Sequence, residues 1–338
     1  MSNIYWNIDK LFSFDATMYL VIGERGVGKT YSSLCAIIKD FLKNGNQFVY
    51  VRRYQTELDK ATPKFFDDII AHNAFPDHEF KVMTSEQYGT IFYVDGKEAG
   101  FAKSLTTASN EKSIPFPNVR TLVFDEFTIT RSSHRRYLAD EITSFLDLCE
   151  TIFRLRDNMR ILMLGNATSI NNPYFAYWNL TLPYDSEYRV FHDGQIVVNY
   201  VKNEPYREAK RKSKFGKLID GTKYAEYAID NKFLQDSNTF VGRRPSYASY
   251  YFSLHMDGKT YGIWIDKDGF MYVSDSYDPN CLLNAAFNIK DHNETTLLQS
   301  KTSPAVKNII AHYETGHLVF ESTLIKSIFY ENLLRFVN

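Results

Sequence analysis

Short apolar runs alternate with stretches of helical periodicity over the first two hundred residues of the chain. Apolar runs at 18–22, 47–52, 120–124 and 160–164 predict buried strands, and the pattern at 29–42 predicts a helix after the first of them. Because strands that alternate with helices pair in parallel, the pattern predicts an α/β fold with a mainly parallel sheet.

Asp-Gly pairs, which favour tight hairpin turns, interrupt the pattern at three places. The first, at 95–96, predicts a hairpin over 90–102 as an insertion on the parallel framework. The other two, at 257–258 and 268–269, predict three consecutive antiparallel strands. Helical patterns at about 304–312 and 322–336 follow them, and together these elements predict a smaller α+β domain.

A basic segment separates the two regions. Residues 202–217 hold seven Lys or Arg side chains against two Glu, and the stretch after them runs through two glycines without a clear apolar period. A charged segment of this kind is typical of a connection between domains. We therefore expect a first domain over 1–205, a basic linker over 206–230 and a second domain over 231–338.

Composition excludes several classes of protein. The 338 residues carry a formal net charge of −1, so the chain is not a uniformly basic nucleic-acid binder, and any contact with a polyanion must come from local patches. The three cysteines lie more than a hundred residues apart, which indicates a reduced intracellular protein. No uncharged apolar run approaches the roughly 20 residues that span a bilayer, so we expect no membrane partner.

The sequence after the first predicted strand fits the phosphate-binding pattern G-x-x-x-x-G-K-[ST]. Glycines let the backbone turn its N–H groups toward a phosphate, and the helix that follows adds a favourable field. Lys29 would reach the β and γ phosphates of ATP, and the Thr30 hydroxyl would ligate Mg²⁺. The alternative is a glycine-rich turn with a solvated lysine. The predicted nucleotide-binding residues of the loop are Gly23, Glu24, Arg25, Gly26, Val27, Gly28, Lys29 and Thr30.

Polar residues also end two other predicted strands. Asp125 and Glu126 follow an apolar run, and we expect Asp125 to hold Mg²⁺ and Glu126 to polarise a water for attack on the γ-phosphate. Asn166 ends the next strand, where it could sense the phosphate or orient the water. A solvated acidic turn and a turn-forming Asn are the alternatives.

Arginines cluster where a predicted helix ends, near residue 153. The C-terminus of a helix favours cations, which is a purely structural explanation. The functional interpretation is an arginine finger that enters the neighbouring subunit's site, and Arg154 is the first candidate, with Arg156 and Arg160 as alternatives.

At these residues the chain resembles the DNA-packaging motor ATPases, terminase-like encapsidation proteins, of small podophages with unit-length, protein-capped genomes. The resemblance covers most of the chain in ordered blocks. They include FVYVRRYQTEL at 48–58, VFDEF at 123–127, TIFRLR at 151–156, GNATSINNPYF at 165–175 and FGKLIDGTKY at 215–224. It implies an additional-strand (ASCE) P-loop NTPase that works as a homomeric ring, a pentamer in the family, and pulls double-stranded DNA through the portal into an empty capsid.

The resemblance also assigns roles to basic residues. It places Arg52 and Arg53 at the subunit interface near nucleotide, with Arg154 as the finger that acts in trans. Lys112 and Arg131 match positions on loops that face the DNA channel, where solvated loop charges are the alternative. One position departs from the pattern, because Gln55 stands where relatives carry a basic residue. The positive charge at the interface would then come mainly from Arg52, Arg53 and Arg154.

For the second domain the resemblance implies an RNase H-like fold that docks the motor to the capsid through a structural packaging RNA. The first strand of this domain carries no acidic residue in its body, and the Asp residues nearby are typical turn formers, so we expect no nuclease activity. The expected location is the host cytoplasm, with a transient stay at the portal vertex of the procapsid.

These observations favour an ATP hydrolase coupled to DNA translocation. Two alternatives stay open from the sequence: a P-loop nucleotide kinase, and a non-motor module that docks on RNA or on a portal protein.

Overall fold

The computed structural model describes residues 4–107, 115–129, 136–138, 140–167, 172–178, 180–183, 186–222, 240–315 and 317–337. The chain divides into two compact units, Met1–Leu234 and Gln235–Asn338.

The first unit is built on a nine-stranded sheet. Its strands are β1 (Met18–Gly23), β2 (Gln47–Arg52), β3 (Phe80–Ser85), β4 (Gly89–Val94), β5 (Lys97–Ser104), β6 (Val119–Asp125), β7 (Arg160–Asn166), β8 (Tyr188–Phe191) and β9 (Ile196–Tyr200). They lie in the order β3-β4-β5-β2-β6-β7-β1-β9-β8. The six strands from β5 to β9 in this order pair in parallel, and β3, β4 and β8 add antiparallel edges. The predicted parallel α/β framework is confirmed.

Helices flank and connect these strands. They are α1 (Asp9–Phe12), α2 (Lys29–Asn44), α3 (Gln55–Ala61), α4 (Asp67–Ala71), α5 (Glu141–Phe153), α6 (Pro173–Tyr177), α7 (Glu204–Lys212) and α8 (Lys214–Ile219). The longest, α2, begins directly after the phosphate-loop pattern and ends at Gly45, whose φ of 73° suits a left-handed helix cap.

Aromatic rings fill the core beside β2 and β4. Phe48, Phe65 and Phe92 form a stack in which the Phe65 and Phe92 centroids are 3.8 Å apart, and Phe66 meets Phe92 edge to face. Gly100 on β5 makes room for this stack, because a Cβ there would lie 2.6 Å from the Phe48 ring. The packing therefore fixes β5 against β2.

Two expectations need correction in this unit. The hairpin is part of the main sheet, because β5 pairs in parallel with β2, and the sequence analysis missed β3 at its far side. The described part of the predicted linker, up to residue 222, contains α7 and α8. Helix α7 shows no apolar period because it contacts the phosphate loop through the polar groups of Tyr206, Arg207 and Lys210.

The second unit is an α+β arrangement around a six-stranded sheet in the order β14-β13-β10-β11-β12-β15. Its strands are β10 (Ser249–Met256), β11 (Lys259–Ile265), β12 (Met271–Ser274), β13 (Asn284–Ala286), β14 (Leu297–Leu298) and β15 (Leu318–Phe320), with helices α9 (Pro304–Glu314) and α10 (Thr323–Val337). The predicted three-stranded antiparallel meander is confirmed in β10, β11 and β12.

The Asp residues of the second meander turn behave as turn formers. The Asp266 carboxylate accepts hydrogen bonds from the backbone N–H groups of Asp268 and Phe270, each at 2.9 Å, and from the Tyr272 hydroxyl at 2.8 Å. These bonds hold the turn between β11 and β12.

Replacement of Phe92 by Ala should lower the free energy of unfolding by about 3–5 kcal/mol, because Phe92 is fully buried and its removal opens a cavity in the ring stack. Denaturant unfolding followed by far-UV circular dichroism measures the change. Ile70→Ala is the control, since the Ile70 side chain is exposed, and it should cost less than about 0.5 kcal/mol. Equal losses in the two variants would contradict the assignment of this core.

Candidate functional site

The phosphate-loop pattern lies between the end of β1 and the start of α2. Gly26 and Gly28 have φ values of 85° and 96°, a region that side chains with a Cβ rarely adopt. These two glycines allow a tight turn of the backbone, which leads directly into the N-terminus of α2. The free N–H groups of that helix end are suited to bind an anion.

Lys29 is buried in the loop. Its ammonium group donates to the carbonyl oxygens of Gly23 at 3.0 Å and Glu24 at 2.8 Å, and to the side-chain oxygen of Asn166 at 3.2 Å. Burial lowers the pKa of Lys29 to about 8, against the opposing effect of the Asp125 carboxylate. Lys29 is thus a desolvated cation held directly under the place where the loop would receive phosphates.

Strand register brings the predicted polar residues together. Gly23 pairs with Asn166 between β1 and β7, and Asp125 pairs with Leu164 between β6 and β7. The carboxyl ends of these parallel strands therefore meet at one edge of the sheet, where α/β proteins bind ligands. The structure places Lys29 and Asn166 side by side at this edge, as the sequence analysis expected.

Asp125 lies beside Thr30. The Thr30 hydroxyl donates to the Asp125 carboxylate at 3.3 Å, and the Tyr50 hydroxyl donates to it at 3.0 Å. A hydroxyl and a carboxylate at hydrogen-bond distance are hard oxygen donors of the kind that Mg²⁺ prefers. The donor chemistry of this pair fits the ion.

Arg52 joins the two acidic residues. Its guanidinium contacts the Asp125 carboxylate at 3.2 Å and the Glu126 carboxylate at 2.8 Å, and its Nε donates to the Tyr50 hydroxyl at 2.9 Å. Burial opposes its charge, but Asp125, Tyr50 and Glu126 outweigh that effect and raise the pKa of Arg52. Arg52 is therefore a fixed cation within its own subunit, at the site.

Glu126 differs from Asp125 in exposure and backbone conformation. Its side chain is 52% exposed, against 8% for Asp125, and its φ is 60°, in the left-handed region. Strained backbone of this kind is often found at functional positions. Glu126 thus carries an accessible carboxylate at the mouth of the site, tied back by Arg52.

These residues line a cavity of about 570 Å³. Its wall includes Gly26, Gly28, Lys29, Thr30, Tyr50, Arg52, Asp125, Glu126 and Asn166. The volume, the buried lysine and the glycine backbone fit a nucleoside triphosphate.

Arg53, which was predicted to lie at a subunit interface, is buried within its own chain, and a role between subunits stays a prediction. Its side chain is 2% exposed and binds the Glu141 carboxylate through Nε at 2.8 Å, while Nη2 donates to the Phe127 carbonyl at 2.6 Å. Glu141 also accepts from the Tyr174 hydroxyl at 2.8 Å. Arg53 therefore fastens the segment after Glu126 to the start of α5.

The arginines after α5 have different surroundings. Arg156 donates to the carbonyls of Phe153 and Phe116, and Arg160 lies 4.8 Å from the centre of the Phe12 ring. Arg154 is exposed at a positive φ of 50°, and no ion pair or side-chain hydrogen bond joins it to another described residue. Of the three, Arg154 is the one available to a second molecule.

Two predicted site residues, Lys112 and Arg131, lie outside the described residues. Within the described ranges there is no group of three or more His, Cys, Asp or Glu side chains that could hold a metal ion. No helix in that same part of the chain is long and apolar enough to span a bilayer.

The family model of the podovirus DNA encapsidation protein (Gp16) matches residues 1–337. The chain belongs to this family. Among its relatives, the DNA packaging protein of Bacillus phage PZA is 37% identical over 332 residues, which cover 97% of each chain.

Solved structures agree with this membership. A chain of the bacteriophage phi29 viral genome packaging motor assembly is 36% identical, with a TM-score of 0.77, and the match covers 99% of this chain and 100% of that one. The crystal structure of the N-terminal domain of the phi29 DNA packaging ATPase is 39% identical, with a TM-score of 0.52, over 60% of this chain and 98% of that one.

Sequence reasoning missed two residues around the site, Tyr50 and Glu141. Tyr50 could have been found from the period of two along β2, which puts residues 50 and 52 on one face. Glu141 had no such signal, since only the folded chain brings it to Arg53, 88 residues away.

Arg53→Ala should lower the free energy of unfolding by about 3–5 kcal/mol, because it leaves the Glu141 carboxylate buried without its cation. Denaturant unfolding of the isolated chain measures this, with the exposed Arg189→Ala as control. A residue that acts only between subunits would leave the stability of the isolated chain unchanged, and that result would contradict the assignment.

Proposed function

We propose that the chain hydrolyses ATP at the subunit interfaces of a homomeric ring and thereby drives double-stranded DNA through the portal into a preformed capsid. The observation that carries this proposal is the convergence of Lys29, Thr30, Asp125 and Glu126 on one cavity. Membership of the encapsidation family supports the coupling of ATP hydrolysis to DNA packaging.

Each of these residues has a distinct role in the proposal. The loop amides and Lys29 bind the triphosphate, and Thr30 with Asp125 would hold Mg²⁺. When bound, the ion neutralises charge on the phosphates. Glu126 accepts the proton of the attacking water, since its carboxylate is accessible and adjoins the loop. Asn166 orients the water or the γ-phosphate from its place beside Lys29.

Arg52 sets the position of Glu126. The 2.8 Å ion pair draws the Glu126 carboxylate toward Arg52 and Asp125. A triphosphate brings negative charge into the same cavity and competes for the guanidinium, which would release Glu126 toward the water. In this proposal Arg52 therefore positions Glu126 of its own subunit. If Arg52 also contacts the neighbouring subunit, it does so through the same guanidinium.

Arg154 is the residue proposed to act in the neighbouring subunit. Its exposure and the absence of a partner among the described residues fit a side chain that completes a second subunit's site. Its positive φ lies at the C-terminal cap of α5, where the helix ends.

The DNA contacts remain with Lys112 and Arg131. A few inward cations per subunit, repeated around a ring, bind a phosphate backbone without reading its sequence. This arrangement agrees with a chain whose formal net charge is −1. A pentameric ring, the host cytoplasm and the portal vertex as its location, and a packaging RNA as docking partner belong to the same proposal.

We propose that the first unit is the ATPase domain and that the second is an RNase H-like docking domain without nuclease activity. The body of β10 carries apolar Phe252 and Leu254, and the Asp266 carboxylate is engaged in its turn. Arg243 is exposed in this unit and offers a phosphate contact to RNA.

Glu126→Gln should reduce DNA-stimulated ATP hydrolysis by about 100-fold or more, because Gln cannot take the proton of the attacking water. A phosphate-release assay with and without double-stranded DNA, on the protein assembled at capsid portals, measures the rate. The control is Glu86→Gln, at an exposed carboxylate on the first unit, which should leave the rate unchanged.

Three outcomes distinguish the functions in this assay. Hydrolysis that DNA of any sequence stimulates, and that falls as salt rises, supports the motor. Phosphoryl transfer to a nucleoside monophosphate without DNA stimulation would favour a kinase. No turnover with DNA and assembled capsids would contradict the motor and favour a docking module.

A mixture of Arg154→Ala chains with Lys29→Ala chains should recover hydrolysis that neither variant shows alone. In mixed rings, an intact phosphate loop in one subunit meets an intact Arg154 of its neighbour. Arg189→Ala in place of Arg154→Ala is the control and should be active without mixing. Proven co-assembly without recovery would refute Arg154 as the trans residue.

A further inference from the structure

Helix α7 contacts the outer side of the phosphate loop. The Tyr206 hydroxyl donates to the Arg25 carbonyl at 3.2 Å, the Lys210 ammonium donates to the same carbonyl at 2.8 Å, and Arg207 pairs with the Glu24 carboxylate. These three residues of α7, none of which lines the cavity, thus hold two consecutive residues of the loop.

The contact between loop and helix is close. A Cβ on Gly26 would lie 2.7 Å from the Tyr206 hydroxyl, so a side chain at this position would have to displace Tyr206 as well as adopt a positive φ. On its other side α7 packs against α8 with little clearance, since a Cβ on Gly216 would lie 2.9 Å from the Arg211 Cα. Helix α7 is therefore held on both sides and gives the loop a firm support.

Glu24 is an unusual residue to find in a phosphate-binding loop. Its side chain is completely buried, and its Oε2 has no hydrogen-bond partner among the described residues. Burial raises its pKa, while Arg207 acts in the opposite direction. A buried carboxylate in this place repels a polyphosphate unless a cation balances it, because charges interact strongly where water is excluded.

Arg207 supplies that balance. Its side chain is 15% exposed, its Nε bonds the Glu24 carboxylate and its Nη2 donates to the Val201 carbonyl at 3.3 Å. These bonds fix the guanidinium between the end of β9 and the loop. The charge of Glu24 is thereby neutralised, and the loop backbone is anchored to α7.

We propose that Arg207 is a positioning residue of the nucleotide site, which neutralises the buried Glu24 and holds the phosphate loop in its binding conformation from outside. The inference rests on the proposed binding of nucleotide at this loop. Arg207 itself does not line the cavity. It acts through Glu24, and it adds the helix after β9 to the nucleotide-binding machinery.

Titration of the full-length protein with a fluorescent, methylanthraniloyl-labelled ADP in the presence of Mg²⁺ tests the proposal. Arg207→Met keeps the aliphatic packing but removes the charge, and we expect the Kd to rise about tenfold or more, since a small displacement of a binding group has effects of this size. The control Lys212→Ala removes one charge from the same helix at an exposed position, and its Kd should match wild type.

The decisive variant is the double substitution Glu24→Gln with Arg207→Met. With the Glu24 carboxylate removed as well, no buried charge is left without the cation that Arg207 supplied, and the Kd should return to within about threefold of wild type, a rescue that a loss of fold would not produce. If Arg207→Met does not fold, Arg207→Gln takes its place in the same comparison.

A wild-type Kd in the Arg207→Met variant would overturn this inference alone, and so would a double variant that binds no better than the single one. Absence of binding by the wild-type protein would overturn the proposed function and this inference with it.

Discussion

Charge compensation at the carboxyl edge of the parallel sheet is the constraint on which the rest of this structure depends. Lys29, Arg52 and Asp125 converge there with little access to water. Ions in such surroundings are stable only when each is paired or hydrogen-bonded. Lys29 donates hydrogen bonds to the loop carbonyls and to Asn166. Asp125 accepts hydrogen bonds from Thr30 and Tyr50, and Arg52 pairs with both acidic residues.

A site built in this way responds to a polyanion as a unit. Phosphates that enter the cavity offer new partners to Lys29 and Arg52, so the bonds that hold these cations in the free protein must rearrange. Glu126 is the group with most freedom, because its side chain is half exposed while Asp125 stays buried. In the proposed mechanism, binding of the triphosphate would therefore move the Glu126 carboxylate toward the attacking water. Outside the cavity, Arg53 contacts the chain after Glu126, and Arg207 contacts the phosphate loop.

Much of this arrangement could be predicted from the sequence because it depends on local order along the chain. A loop pattern between a strand and a helix, and polar residues at strand ends, led to Lys29, Thr30, Asp125, Glu126 and Asn166. Contacts between residues far apart in the sequence could not be predicted in this way. Arg53 pairs with Glu141, 88 residues away, and Arg207, which was expected in a linker, pairs with Glu24, 183 residues away. Neither pair leaves a periodic or spacing signal in the sequence.

The most direct test of the account is a structure of the assembled ring with a non-hydrolysable ATP analogue and Mg²⁺. The account predicts the triphosphate within hydrogen-bond distance of the Lys29 ammonium, the Glu126 carboxylate released from Arg52 and turned to the γ-phosphate, and Arg154 of the adjacent subunit at the same phosphate. A triphosphate bound away from this loop, or acidic residues that point away from it, would contradict the account.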